Sequence, residues 1–296
     1  MEFRPFTVEL RTVFRGLTRR TGVLMRTTDE HGVEHWGEYS PFADYDAPRA
    51  SRWWAAAMEA ARGQWPQPVR DSVAVNSIVP QVGPERARAY ATAGGATTAK
   101  VKVAGGAELA DDIARVEAVA DALGPQGTLR IDVNGGWDVD QAVRAIDALE
   151  RAARSGGLTG LQYVEQPCET VDELAQLRHR IDTPIAADEA IRIPGDPRAV
   201  LEAEAADIII LKTQPLGGVR RCLEIADQVY PRPIVVSSAL ESSVGLAAGV
   251  ALACGLPVEP LACGLGTGAL LATDTVAHTL VPAEGRIGPA VLEVMA

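Results

Sequence analysis

The sequence predicts a parallel α/β barrel carrying a small α+β cap. Two observations predict the barrel. Short apolar segments that end in charge recur along the chain: KVKV at 100–103, RIDVN at 130–134, YVEQP at 163–167, AADEA at 186–190 and IILKTQ at 209–214. Asp132, Glu165, Asp188 and Lys212 follow one another at steps of 33, 23 and 24 residues, one βα unit per step. A third observation predicts the cap: residues 1 to 40 alternate as an antiparallel meander, unlike anything after residue 71.

In the meander, residues 6–11, 22–28 and 35–39 are β-forming, with turns at Thr21-Gly22 and His31-Gly32. An Ala-rich helix over 52–62, capped by Ser51, and a linker with Pro66 and Pro68 follow. Strands are then expected at 72–79, 100–103, 128–133, 160–165, 184–187, 207–212, 233–238 and 258–263. Helical patterns occupy 85–94, 108–123, 139–154, 170–180, 197–205, 218–229 and 243–254. Eight strands with short αβ turns fit a barrel, and no Gly-rich loop follows the first strand to recommend a doubly wound sheet. The tail, 286–294, reads as a further strand that returns to the meander.

With 296 residues, 47% of them hydrophobic, the chain can bury a large core. A net charge of −11 argues against a nucleic-acid partner. No secretory leader and no membrane span are read. Cys168, Cys222, Cys254 and Cys263 are scattered, which suggests the reducing cytoplasm.

Side chains alternate along a strand, so Lys100 and Lys102 share a face, as do Arg130, Asp132 and Asn134. The apolar Val101, Ile131 and Val133 between them belong under the helices, which leaves the polar groups in the lumen or at its mouth. Each acid alone reads best as a solvated strand end or helix cap. Three on consecutive strands call for a neutralising partner. A hard divalent cation such as Mg²⁺ suits carboxylate ligands, and none of His31, His35, His179 and His278 sits in a zinc-like motif. Parity does not choose between Asp188 and Glu189. A lysine beside another cation has a lowered pKa and serves as a base. Two opposed lysines around a cation suit proton abstraction next to a carboxylate. Gly264, Leu265 and Gly266 form part of a GxGxG turn whose amides suit a carboxylate, and Ser237 and Ser238 suit a polar ligand or a helix cap. Trp53, Trp54 and Trp65 read as packing.

The ordered set KVK, RIDVNGGW, YVEQP, ADEA, LKTQPLGG and SSALESSVG, with WGEYSP at 36–41, resembles the enolase superfamily over nearly the whole chain. The resemblance implies a modified TIM-type (β/α)7β barrel over 71–274. Its α+β capping domain is made from 1–70 and completed by about 275–296. It implies metal ligands Asp132, Glu165 and Asp188, with Lys102 as acid/base and Lys212 as its partner. The metal is Mg²⁺, with Mn²⁺ as a substitute. Lys100, Arg130 and Asn134 support them, and Ser237, Ser238, Gly264, Leu265, Gly266 and Arg19 are candidates for substrate. The compact cap and SSALESS look like the branch that dehydrates 2-succinyl-6-hydroxy-2,4-cyclohexadiene-1-carboxylate to 2-succinylbenzoate through an enediolate. The neighbouring alternative is an N-succinylamino acid racemase or dipeptide epimerase on the same site. A Schiff-base aldolase or a non-catalytic metal-binding scaffold are further ones. The expected partner is a small carboxylate, bound by a cytoplasmic monomer or weak homo-oligomer.

Overall fold

The computed structural model describes residues 1–14, 16–105 and 108–295. Arg15, in the basic loop at 15–20, lies outside them. The chain opens with three antiparallel strands, β1 (Glu2–Phe14), β2 (Leu17–Thr28) and β3 (Glu34–Tyr39), in the order β1-β2-β3. Helix α1 (Ala47–Ala61) covers this sheet. A Cβ on Gly37 would lie 2.0 Å from the Ala57 carbonyl oxygen, so glycine there lets β3 meet the helix. The helix begins earlier than the sequence suggests. Asp46 accepts from the Arg49 amide at 3.0 Å and Pro48 fits the first turn, whereas the Ser51 hydroxyl donates to the Pro48 carbonyl inside the helix.

After it come β4 (Val73–Ala74), β5 (Asn76–Val79), α2 (Pro84–Ala91), β6 (Thr98–Lys102), α3 (Leu109–Leu123), β7 (Thr128–Asp132) and α4 (Val139–Ser155). Next are β8 (Leu161–Glu165), α5 (Val171–Arg178), β9 (Ile185–Ala187), α6 (Glu189–Arg192), α7 (Arg198–Glu202) and β10 (Ile208–Leu211). The last part holds α8 (Thr213–Leu216), α9 (Val219–Val229), β11 (Ile234–Val236), α10 (Ser243–Gly255) and β12 (Arg286–Ile287). Strands β5 to β11 form one parallel sheet of seven, in sequence order. Capping boxes start α4 (Asp138 with Gln141) and α5 (Thr170 with Glu173).

The eighth strand is shorter than its expected range. Residues 261–264 bond to both edges of the sheet: the Leu261 and Gly264 amides to Ile234 and Val236 carbonyls of β11, and the Cys263 carbonyl to the Asn76 amide of β5. This closes the barrel. Pro260 removes a donor from the expected first half of that strand, and Pro257 stands just before it. Two short helices, α6 and α8, were not expected; each starts at the residue after Asp188 or Lys212. The tail strand β12 pairs with β4, and Leu292 and Val294 pack on the cap cluster with Phe6, Trp36 and Leu24. The main core fills the layer between sheet and helices with Val101, Ile131, Val133, Val164 and Leu211, the apolar partners of the lumen-facing residues.

Candidate active site

Lys100, Lys102, Asp132, Glu165, Asp188 and Lys212 come together at the C-terminal end of the sheet. The register sets Lys100 beside Arg130, Lys102 beside Asp132 and Asp132 beside Glu165. In the sheet, β7, β8 and β9 lie between β6 and β10, so the acids stand between the lysines of the first and last. All three acids are at most 1% exposed, and Lys100 and Lys212 are 6% and 7% exposed.

The lysines are already committed to the acids. Lys100 Nζ is 2.8 Å from both Glu165 oxygens and 3.0 Å from Asp132 Oδ2. Lys102 Nζ donates to Asp132 Oδ2 at 2.5 Å and to Asn134 Oδ1 at 2.8 Å. Lys212 Nζ donates to Asp188 Oδ2 at 2.6 Å. Burial pulls Lys102 below the ordinary lysine pKa, with Asp132 opposing and Lys100 adding to the pull. Lys100 goes the other way: Asp132 and Glu165 outweigh burial and hold its proton firmly. Burial pushes Glu165 up to about 7, helped by Asp132 and opposed by Lys100. Asp132 is held low because Lys100 and Lys102 outweigh its burial, and Asp188 because Lys212 and Arg192 do.

Around these groups the backbone is strained. Ala104, Asn134, Gln166 and Leu240 all have positive φ, and each lies just beyond a barrel strand at the mouth. Gln166 and Arg192 escaped the sequence reading. Gln166 Oε1 accepts from the Asp188 and Ala190 amides at 3.0 and 3.1 Å, which fixes the start of α6. Arg192 Nε donates to Asp188 Oδ1 at 3.1 Å, and the (i, i+4) spacing on a helix was the signal for it. Glu189 also reaches the site: its Oε1 accepts from Asn134 Nδ2 at 3.1 Å and from Arg192 Nη2 at 2.5 Å.

A cavity of about 40 Å³ lies over the lysines and Asp132. It is lined by Phe42, Ile78, Asn134, Ser237, Ser238, Leu240, Gly264 and Thr267 among others. A larger one, about 710 Å³, lies at the opposite end, along Gly127, Gly160 and Pro184. It meets none of the charged groups at the mouth. The sequence candidates distribute unevenly around the smaller cavity. Ser237 and Gly264 line it, and Ser238, also lining it, shares a 2.7 Å hydrogen bond with Thr267. Leu265 is buried in the core against Gly249, and Gly266 stands outside the lining. Arg130 is buried one layer down, bonded to Asn76, Gln162 and the Ala262 carbonyl, with its guanidinium 4.8 Å over the Tyr163 ring. Arg19 is exposed on β2, while its neighbour Arg20 is buried, donating to the Leu240 carbonyl at 3.1 Å and stacking over Phe42.

The donor set fits a hard cation. Asp132 Oδ1 and Glu189 Oε2 are buried with no hydrogen-bond partner, in a place rich in carboxylates. Among the described residues, no three His, Cys, Asp or Glu side chains stand in a preformed cation cage. Ammonium groups sit between the acids and would have to yield to the ion.

A seven-stranded parallel barrel sheet with an antiparallel cap, and acids flanked by lysines at its mouth, define a class. Residues 84–290 match the enolase C-terminal domain-like family and residues 6–61 the enolase N-terminal domain-like family. The chain belongs to the enolase superfamily. Its curated relatives are narrower still. It is 56% identical over 286 residues to o-succinylbenzoate synthase of Thermobifida fusca (strain YX), covering 96% of this chain and 86% of the relative. It is 49% identical to the o-succinylbenzoate synthase of Mycolicibacterium smegmatis, covering 95% and 84%. These identities place it in the o-succinylbenzoate synthase family. Among solved structures, the L-Ala-D/L-Glu epimerase of Bacillus subtilis in a substrate-liganded complex shares the fold, with a TM-score of 0.83, 23% identity and coverage of 99% and 96%. So does the dipeptide epimerase of Enterococcus faecalis V583 complexed with Mg and L-Leu-L-Tyr, with a TM-score of 0.82, 20% identity and coverage of 99% and 97%.

Proposed function

We propose that this protein dehydrates 2-succinyl-6-hydroxy-2,4-cyclohexadiene-1-carboxylate to 2-succinylbenzoate, with Mg²⁺ (or Mn²⁺ in its place) held by Asp132, Glu165 and Asp188. The observation that carries this is the pair Lys102 and Lys212, on β6 and just after β10, facing each other across the three acids. The named relatives, o-succinylbenzoate synthases, point to the product.

Mg²⁺ bound there would take up the charge that develops on the ring carboxylate as the α-proton leaves. Lys102 removes that proton, being the lysine whose pKa burial lowers. The resulting ammonium protonates the departing hydroxyl on the same face, so the proton and hydroxyl leave as water and the ring becomes aromatic. Lys212 stays cationic and faces the enediolate from the other side. Lys100, with its proton held firmly by Asp132 and Glu165, keeps a positive charge near Lys102. Asn134 orients Lys102 and Glu189. Ser237 and Gly264, in the cavity wall, serve the succinyl end.

At the mouth Asp132, Glu165, Asp188 and Glu189 meet Lys100, Lys102, Lys212 and Arg192, so the formal charges cancel. A divalent cation together with a substrate bearing two carboxylates adds no net charge, and Lys102, a neutral amine before the step, regains its positive charge when it takes the α-proton. The same reading makes the protein a cytoplasmic enzyme, monomeric or weakly associated. Its four cysteines are buried thiols, and among the described residues no helix is long and apolar enough to cross a membrane.

The test compares two reactions in one preparation: dehydration of the cyclohexadiene, and exchange of the α-proton of an N-succinylamino acid with solvent deuterium. Dehydration with the larger kcat/KM supports the proposal. Exchange with the larger value would assign the site to a racemase.

A further inference from the structure

We propose that Arg192 is a positioning residue that ties the seating of the cap to the geometry of Asp188 and Lys102. The idea rests on the Mg²⁺ reading of the site. Arg192 is 4% exposed and spreads its guanidinium over three partners. Nε donates to Asp188 Oδ1 at 3.1 Å, Nη2 to Glu189 Oε1 at 2.5 Å, and Nη1 to the hydroxyl of Tyr45 at 2.6 Å. Two partners belong to the site and the third belongs to the cap. A planar, fixed fork is the one side chain that can hold all three at once.

Both ends of this link are anchored. On the cap side, Tyr45 packs edge-on against Phe42 and Trp53, at ring-centroid distances of 5.5 and 6.3 Å, and Phe42 lines the cavity. On the barrel side the chain of hydrogen bonds continues. Glu189 Oε1 also accepts from Asn134, and Asn134 accepts from Lys102 Nζ. Cap and base are thus joined through Tyr45, Arg192, Glu189, Asn134 and Lys102. A second contact keeps the two parts in register: Arg52 of α1 donates to the carbonyls of Arg192, Ile193 and Pro215 at 3.0, 2.7 and 2.7 Å. Those carbonyls lie on the two short helical segments that follow Asp188 and Lys212. When the cap sits down, Tyr45 fixes Arg192, and Arg192 aims one oxygen of Asp188 while Lys212 engages the other. A displaced cap releases the guanidinium, and Asp188 loses its set direction.

The measurement is Mg²⁺ affinity by titration calorimetry on the metal-stripped full chain, without substrate, paired with the Mg²⁺-induced rise in melting temperature. Outer partners of metal ligands typically contribute about tenfold or more in affinity. Arg192→Lys, which keeps the charge and loses the fork, is expected to weaken Mg²⁺ binding by about that factor. Tyr45→Phe, which keeps the ring and removes only the hydroxyl, is expected to weaken it by about threefold and to shrink the melting shift. In the Arg192→Lys background the Tyr45 change adds nothing, because the two act through one chain. Wild-type Mg²⁺ affinity in Tyr45→Phe, with tight binding in the parent, would overturn the link and leave the metal site standing. A parent that takes up no Mg²⁺ overturns both.

Discussion

Lys100, Lys102 and Lys212 are the only lysines in the chain, and all three stand at the barrel mouth. Every other basic side chain is arginine or histidine. Arginine cannot give up its proton near neutrality, so the mouth holds every lysine that could serve as a base. This makes the charge states measurable. In a ¹³C NMR titration of the lysine side chains, Lys102 is expected to titrate below the ordinary lysine value and Lys100 above it, the directions that burial and Asp132 with Glu165 impose. Assignment follows from single Lys→Arg variants. Lys102→Ala is expected to cut turnover by roughly 10³-fold while product still binds, read by single-turnover kinetics and calorimetry. Strand parity made most of this residue pattern legible, since a period of two puts Lys100, Lys102, Asp132 and Asn134 on one face. It could not reach Gln166 or Arg192. Their roles depend on α6, a helix of four residues that leaves almost no periodic trace. Nor could it tell Arg19 from Arg20. Alternation says that they face opposite ways, and only the packing of β2 against residues 238–241 says which way is inward.

At the level of elements, the seam between cap and barrel rests on buried carboxylates. Glu38 on β3 accepts from the Ser242 and Gly245 amides at 3.1 and 3.0 Å, so an acid of the cap caps the helix α10 of the barrel. A Cβ on Gly245 would lie 2.6 Å from Glu241 Cβ and 2.9 Å from Glu38 Oε2, so Gly245→Ala is expected to lower the melting temperature by several degrees. Burial pushes Glu241 up to about 7, with Glu38 adding repulsion, against the pull of its own and the Ala239 amides. An acid whose folded pKa is raised binds its proton more tightly when folded. Its contribution is full below the ordinary value of 4.5 and is lost as pH rises through about 7. Denaturant titrations from pH 4.5 to 8 should show that loss, at most about 3 kcal/mol from Glu241, beside those of Glu165 and Glu38, which burial also raises, and Glu241→Gln should make the slope shallower without abolishing it. An unchanged slope in that variant would remove Glu241 as the cause. The strands and long helices were legible because apolar runs and capping boxes mark them. The eighth strand was shortened by the proline at 260, and the start of α1 moved to Asp46, where a proline two residues on made the better N-terminus.

Over the whole molecule, the chain carries −11 overall while its site is charge-balanced. The two facts belong to different regions: the acidic excess is a matter of surface and solubility, and the balanced mouth is a matter of chemistry. The seated cap leaves a cavity of about 40 Å³, far below the several hundred Å³ that a substrate-sized ligand occupies. The wall of that cavity includes Phe42 of the cap together with barrel side chains, so a ring-sized ligand needs this wall to give way. The order of lysines and acids was open to a reader of the sequence because it is written along consecutive strands. The cap's hold on that site was not, because it is made by residues 20 to 59 meeting residues 188 to 245 across the fold. The central claim, that a divalent cation and opposed lysines dehydrate a cyclohexadiene carboxylate here, has one direct measurement. Metal-stripped protein is mixed with 2-succinyl-6-hydroxy-2,4-cyclohexadiene-1-carboxylate, and formation of 2-succinylbenzoate is followed before and after Mg²⁺ is added, with EDTA as the control. Product that appears only with Mg²⁺ and stops with EDTA is the expected result; no turnover with Mg²⁺ present, or turnover indifferent to EDTA, would contradict the claim.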